Sequence, residues 1–340
     1  MRQRGVKRVR VLWLSIIPAL ALTSVPACGP SKQPAPIDVT AHWPTFMGNS
    51  ARAAFLDQKI PENVPNIAWS AGAGSGLRGM PVVTEEVIVA SSKDRYINVL
   101  SRLDGSTLWR KRLDGPPVPP LVRGDLIYTA TENKGKLRVL SLKDGRDIWK
   151  WNLPSVAQTI AMSGDTIYVA SEEGMLHALD TRTQFEVWQA HFSRAPVAGP
   201  LVLDRWVAYI APDSLHLIDR FNGNLEHSVS TSERVAGEAA SDGERLFVTT
   251  ETGSLIAWSV PELGVLWKTS GFHDFSSGPA IADGAGYAIT TQGLLIRFEL
   301  ADGSARVIAR ADGTVLATPT VVQNGVLVGN MEGLLSFFSR

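Results

Sequence analysis

The chain has 340 residues, with 33 Lys and Arg balanced by 33 Asp and Glu, 44% hydrophobic residues and a single cysteine. A lone thiol closes no intrachain disulfide, and zinc or haem sites need several ligands at fixed spacings, so no cysteine framework supports the fold. Residues 1–27 hold five bases and no acids, leaving 28 against 33 and a net charge of −5; such a chain is not built to grip nucleic acid.

The N-terminus reads as an export signal. Arg2, Arg4, Lys7, Arg8 and Arg10 precede an apolar run from Val11 to Leu22, and small residues follow as far as Ala27. The run is shorter than the roughly 20 residues of a membrane span, and Pro18 interrupts it. Val25-Pro-Ala-Cys28 resembles the lipobox of bacterial lipoproteins, with Pro26 as its departure from the usual pattern. Cys28 is therefore expected to become the lipidated first residue. An exported free thiol would be open to oxidation, which favours that reading over an ordinary secretory signal. Gly29, in place of the aspartate that retains lipoproteins at the inner membrane, implies delivery to the periplasmic side of the outer membrane. Residues 28–41, with three prolines and no apolar periodicity, predict a tether reaching about 40 Å.

From Met80 onward one theme recurs: a short apolar strand, a Gly-Asp turn, an apolar strand, a Gly-containing turn, a Leu-x-x-Leu strand and a last strand bearing Trp. Val89, Tyr128, Tyr168, Ala208, Phe247, Tyr287 and Leu327 mark one position in seven copies, 39 or 40 residues apart. Four strands per unit at this period predict an all-β, seven-bladed β-propeller of antiparallel blades over residues 42–340. Trp69, Trp109, Trp149, Trp188 and Trp267 recur at the same period, with Ser228 and Val307 in the vacant slots. A flat ring at a repeated place is expected to wedge between blades. Trp69 precedes the first complete copy and the seventh ends after its third strand. The last blade is therefore expected to combine about 317–338 with a strand at about 66–71, hiding an edge that would invite aggregation.

Other motifs carry less. GSGLRG (74–79) has the spacing of a phosphate-binding loop but is followed by Met80-Pro81 and a strand, so it reads as an inter-blade loop. No Gly-x-Ser-x-Gly nucleophile elbow occurs. His177 and His216 occupy one place in consecutive repeats, which puts them one blade apart. Glu85-Glu86 and Glu172-Glu173 lie at predicted turns as solvated charge. Arg110-Lys-Arg112 falls on an outer strand, where bases protect an exposed edge. The loop SGFHDFSSGP (270–279) offers Phe272, His273 and Phe275 as candidate partner-binding residues, against the alternative that its rings pack back onto the propeller.

The patterns Gly-Asp-x-Ile-Tyr-Val-Ala, Leu-x-Ala-Leu-Asp and x-x-x-Trp resemble the repeat of the PQQ-like, quinoprotein-type β-propeller family, and WPTFMGNSARAAF (43–55) is similar to the segment that leads into many such propellers. The resemblance extends over about residues 43–340. Quinoprotein dehydrogenases of this family are larger, commonly eight-bladed, and hold PQQ and calcium through dedicated ligands. No Cys-Cys pair or calcium-ligand motif matches them here, so no catalytic, cofactor or metal residue is assigned. The resemblance implies a non-catalytic lipid-anchored scaffold, like the eight-bladed lipoprotein of the outer-membrane β-barrel assembly machinery, with envelope proteins and that complex as expected partners. A PQQ-dependent oxidoreductase and a small-ligand or glycan sensor are the alternatives.

Overall fold

A computed structural model of the chain describes residues 82–339, apart from 85, 133–134, 154, 157–158, 283, 316–317, 323–324 and 330–334. All regular structure among the described residues is β. The strands form six four-stranded sheets and one three-stranded sheet, each antiparallel between neighbours in sequence order. Blade 3 shows the pattern: Ile160–Ser163, Thr166–Ala170, Met175–Asp180 and Glu186–His191 pair in turn. The other four-stranded blades cover 82–112 (blade 1), 121–152 (blade 2), 201–230 (blade 4), 240–269 (blade 5) and 280–310 (blade 6). Thr320–Val322, Gly325–Gly329 and Leu335–Ser339 make the three-stranded sheet. The strand expected at 66–71 lies outside the described residues, as do the signal and tether segments.

Burial explains the sequence pattern. The second and third strands of blade 3 are buried on both faces, because the core clusters lie between blades rather than within them. Their residues are accordingly almost continuously apolar. The fourth strands alternate instead, exposed at every second position, as in Thr107–Arg112 and Asp147–Asn152, since only one face meets a neighbour. First strands of adjacent blades also touch, Ile160–Ser163 against Leu201–Val202 and Ala240–Ser241 against Ala280–Ala282. The approach just before Ala280 is tight enough that a Cβ on Gly278 would stand 1.8 Å from the Glu238 carbonyl oxygen.

The repeated positions fall into one cross-strand row per sheet. In blade 3 it runs Ala161, Tyr168, Ala178, Trp188, and in blade 5 Ala240, Phe247, Ala257, Trp267. A small residue on the third strand lets the fourth-strand indole lean over to the ring on the second: Tyr168 and Trp188 centroids lie 5.9 Å apart, Phe247 and Trp267 6.0 Å. Blade 4 corrects the sequence alignment. Its row is Leu201, Ala208, Leu217, His227, so His227 and not Ser228 fills the tryptophan slot. The error came from averaging over the doubled gap between Trp188 and Trp267. Next to the row, a bulge leaves one fourth-strand residue unpaired in blades 1 to 5, among them Leu108, Ile148, Val187 and Leu266, all about half exposed. In blade 6 the bulge falls at Ile308 and the row runs Ala280, Tyr287, Arg297, Arg306, so Arg306 and not Val307 fills the slot there.

Candidate functional site

The joints between blades are built by the fourth-strand tryptophans. The indole N–H of Trp109 donates to the Leu142 carbonyl at 2.8 Å, that of Trp188 to Arg220 at 2.9 Å, and that of Trp267 to Leu300 at 3.0 Å. Each acceptor is the residue that follows the third strand of the next blade. The carbonyl of Arg220 also accepts from the Tyr168 hydroxyl at 3.3 Å, so two rings of blade 3 converge on one backbone group of blade 4. The ring itself lies on a turn glycine. A Cβ on Gly145, Gly223 or Gly303 would come 2.7, 2.7 and 2.3 Å from the Trp109, Trp188 and Trp267 rings, and all three have positive φ. That turn position thus serves backbone conformation and ring contact at once.

Two joints depart from this arrangement, and their sequences depart with them. The turn position in blade 3 is Gln184, with φ 63, and Trp149 of blade 2 meets Trp151 edge-on at 6.3 Å. In blade 5 the position is Leu263, with φ 55. Leu263 is 3% exposed and joins the core cluster containing Ala208 and Leu217, two residues of the blade 4 row that lacks a tryptophan. The apolar volume is supplied from the turn where the preceding strand does not supply it.

Charge also crosses a joint. Lys111 of blade 1 donates to the Asp147 carboxylate and the Gly145 carbonyl of blade 2, each at 2.8 Å. Asp147 also accepts from Arg138 at 2.9 Å, and Arg138 reaches Asp114 at 3.1 Å, with Lys136 on Asp114 at 2.7 Å. Burial pushes the Asp114 carboxyl up, but hydrogen bonds from Lys136 and Arg138 outweigh it and hold it at about 2. Asp147 is lowered by the same balance, burial opposing Lys111, Lys150 and Arg138. At the next rim, burial likewise opposes the hydrogen bonds to Glu233 from Lys268, Thr252 and Thr250, which hold its carboxyl at about 2. Neither network was singled out in the sequence. A usable signal existed: Arg138 and Asp147, like His177 and Glu186, stand nine residues apart across a hairpin.

The other singled-out residues are placed as follows. Cys28, Trp69 and 74–79 lie outside the described residues. His177 pairs with Glu186 through Nδ1 at 2.6 Å, while His216 lies between the Ser214 and Ser228 hydroxyls at 3.0 and 2.9 Å and against Phe192. Burial lowers the His216 pKa. The two imidazoles serve separate blades, and no group of three His, Cys, Asp or Glu is arranged for a metal among the described residues. Glu86, Glu172 and Glu173 are exposed.

Of the two readings of the loop 270–279, the rings take the one in which they pack back onto the sheets. Phe275 is 2% exposed, its backbone bridged to Thr290, and Phe272 is half-buried with its ring edge-on to Phe275 at 6.3 Å. The rings are anchors of the loop rather than a displayed aromatic pair, because two apolar rings beside an open inter-blade core gain more by filling it. Only His273 of the three is exposed. The large exposed apolar residues lie elsewhere, chiefly Leu103, Phe185 and Phe221 in the turns between third and fourth strands and the bulge residues that follow them.

Comparison with known proteins agrees with this architecture. The family model described as outer membrane protein assembly factor BamB matches residues 66–224 and 211–306. The crystal structure of BamB from Moraxella catarrhalis superposes with a TM-score of 0.69 at 18% identity, covering 80% of this chain and 86% of that one. The computationally designed Ika8 protein gives a TM-score of 0.58 at 12% identity over 80% and 99% of the two chains. No curated protein matches by sequence. At these identities the structural likenesses speak for fold, and the family follows from the sequence model, which spans well over half of the residues. The chain belongs to the BamB family of PQQ-like repeat β-propellers.

Proposed function

We propose that this protein is a non-catalytic scaffold, anchored by lipid on Cys28 to the periplasmic face of the outer membrane, that helps assemble outer-membrane proteins. The observation that carries the reading is the family match over residues 66–306. Blades whose faces interlock through indole, carbonyl and glycine suit rigid display of loops, and a tether would raise their concentration near membrane partners. A crosslinking pull-down from the envelope tests it. Recovery of barrel-assembly subunits supports the scaffold. Their absence, together with dye-linked alcohol oxidation on adding PQQ and calcium, would put a quinoprotein oxidoreductase in its place. Replacing Cys28 by Ser should release the protein from the membrane fraction.

We further propose seven blades, the last completed by the strand at 66–71. Gly105 of blade 1 supports this: it is buried with φ 72, at the turn position that carries a tryptophan ring in blades 2, 4 and 6. Trp69, one repeat before Trp109, is the ring that would lie on it. Trp69→Ala should then destabilise the protein as much as Trp188→Ala does; a neutral Trp69→Ala would mean that the ring closes otherwise.

A further inference from the structure

The charge of the molecule is divided unevenly. Residues 82–152 carry thirteen Lys and Arg against nine Asp and Glu, whereas residues 153–340 carry eleven against twenty-one. The excess of bases sits on blades 1 and 2, and part of it lies on their outermost strands. Alternation exposes Leu108, Arg110 and Arg112 on one and Ile148, Lys150 and Asn152 on the other. Lys143 and Arg146, beside them in the turn of blade 2, are exposed as well, and Leu103 in the turn of blade 1 is 81% exposed. The fourth strands of blades 3 and 4, EVWQAH and LEHSVS, hold no Lys or Arg; that of blade 6 exposes Arg306 and Arg310, but in the part of the chain where acids outnumber bases.

Arg110 stacks over the Tyr96 ring at 3.8 Å, and the ion pairs of the bases are light. Arg110 lies 4.0 Å from Asp94, Arg146 3.9 Å from Asp144 and Lys150 3.1 Å from Asp147, all on half or more exposed cationic side chains, where such pairs are worth little. Arg112 and Lys143 have no ion pair among the described residues.

We infer that the outer edge of blades 1 and 2 docks on a membrane surface rich in anionic phospholipid headgroups. Two observations favour lipid over an acidic protein. The bases are interleaved with exposed aliphatic side chains, the composition that suits a headgroup and acyl boundary. They are spread over strand edges and turns of two sheets rather than gathered around a pocket. The inference does not rest on the scaffold reading, since a propeller of any function could lie on a membrane in this way.

The test uses the full chain with Cys28→Ala, so that no acyl chain contributes and residues 1–27 are the same in every arm. Binding is measured by co-sedimentation with phosphatidylcholine vesicles, with and without phosphatidylglycerol. Binding should require phosphatidylglycerol and fall with salt, and Arg110→Gln with Arg112→Gln and Lys150→Gln should reduce it on the order of a hundredfold. Arg182→Gln with Arg194→Gln, in the last turn of blade 3 and the loop that leads to blade 4, should leave it unchanged. Lys143→Gln with Arg146→Gln, confined to a turn, should reduce it about thirtyfold and checks that no loss comes from misfolding. Equal vesicle binding by the triple variant and its parent overturns the inference. So does binding to soluble polyglutamate with no gain from phosphatidylglycerol, which would make the edge a protein-docking surface.

Discussion

Gly223→Ala tests the joint between blades 3 and 4 most directly. An L-residue at φ +78 costs about 1–2 kcal/mol in backbone strain. Its Cβ would also stand 2.7 Å from the Trp188 ring, and displacing a packed side chain costs about 1–3 kcal/mol more. The expected total is about 2–5 kcal/mol. Gly164→Ala provides the reference, because Gly164 has φ +55 with nothing within 4 Å, so strain alone applies at about 1–2 kcal/mol. Both are measured by equilibrium urea unfolding followed by tryptophan fluorescence. In a Trp188→Leu background the extra cost of Gly223→Ala should vanish, and the difference between backgrounds is the energy of the ring contact. Equal costs at Gly223 and Gly164, or an extra cost that persists without the indole, would refute the view that this turn is a platform for the ring.

Leu263→Gly should cost about 1–4 kcal/mol, the loss of a buried leucine less the relief of its left-handed backbone, and His227→Trp in the same chain should recover about 1 kcal/mol or more. Unfolding of the two single variants and the double variant measures that coupling; simple additivity would show that the two positions do not exchange volume. The Asp114 carboxyl is held below its ordinary 3.8, at about 2, so its contribution is present above pH 3.8 and is lost as pH falls through about 2. A pH series of urea midpoints should show a smaller acid loss in Asp114→Asn than in the parent, and lower stability near neutrality, where Arg138 keeps only Asp147. Glu233→Gln should likewise flatten the acid limb between pH 4.5 and about 2, with Lys268 left unpaired. A midpoint series parallel to the parent's would remove Glu233 from the account.

The repeat was legible because its determinant is local. A four-strand unit every 39 or 40 residues writes its turns and its alternation into each copy, and the marker positions Val89 to Leu327 prove to be one cross-strand row in all seven sheets. The slots in blades 4 and 6 are not legible in the sequence because His227 and Arg306 resemble no tryptophan and only the register identifies them. At Phe272 and Phe275 the sequence leaves display and packing back both open, because apolar residues in a loop look alike whether they face solvent or fill a gap between sheets.

Periodicity and turn chemistry, taken alone, determined that this chain makes antiparallel four-stranded units, since a strand's spacing of two and a glycine turn depend on near neighbours. Tertiary structure decided what each unit presents to the next: which glycine bears an indole, where Leu263 takes over, and which bases are spent on Asp147 or Asp114 and which are left on the outer edge. Those outcomes depend on side chains more than thirty residues apart meeting across a joint, as Trp109 meets Leu142 and Lys111 meets Asp147. No local pattern encodes that distance.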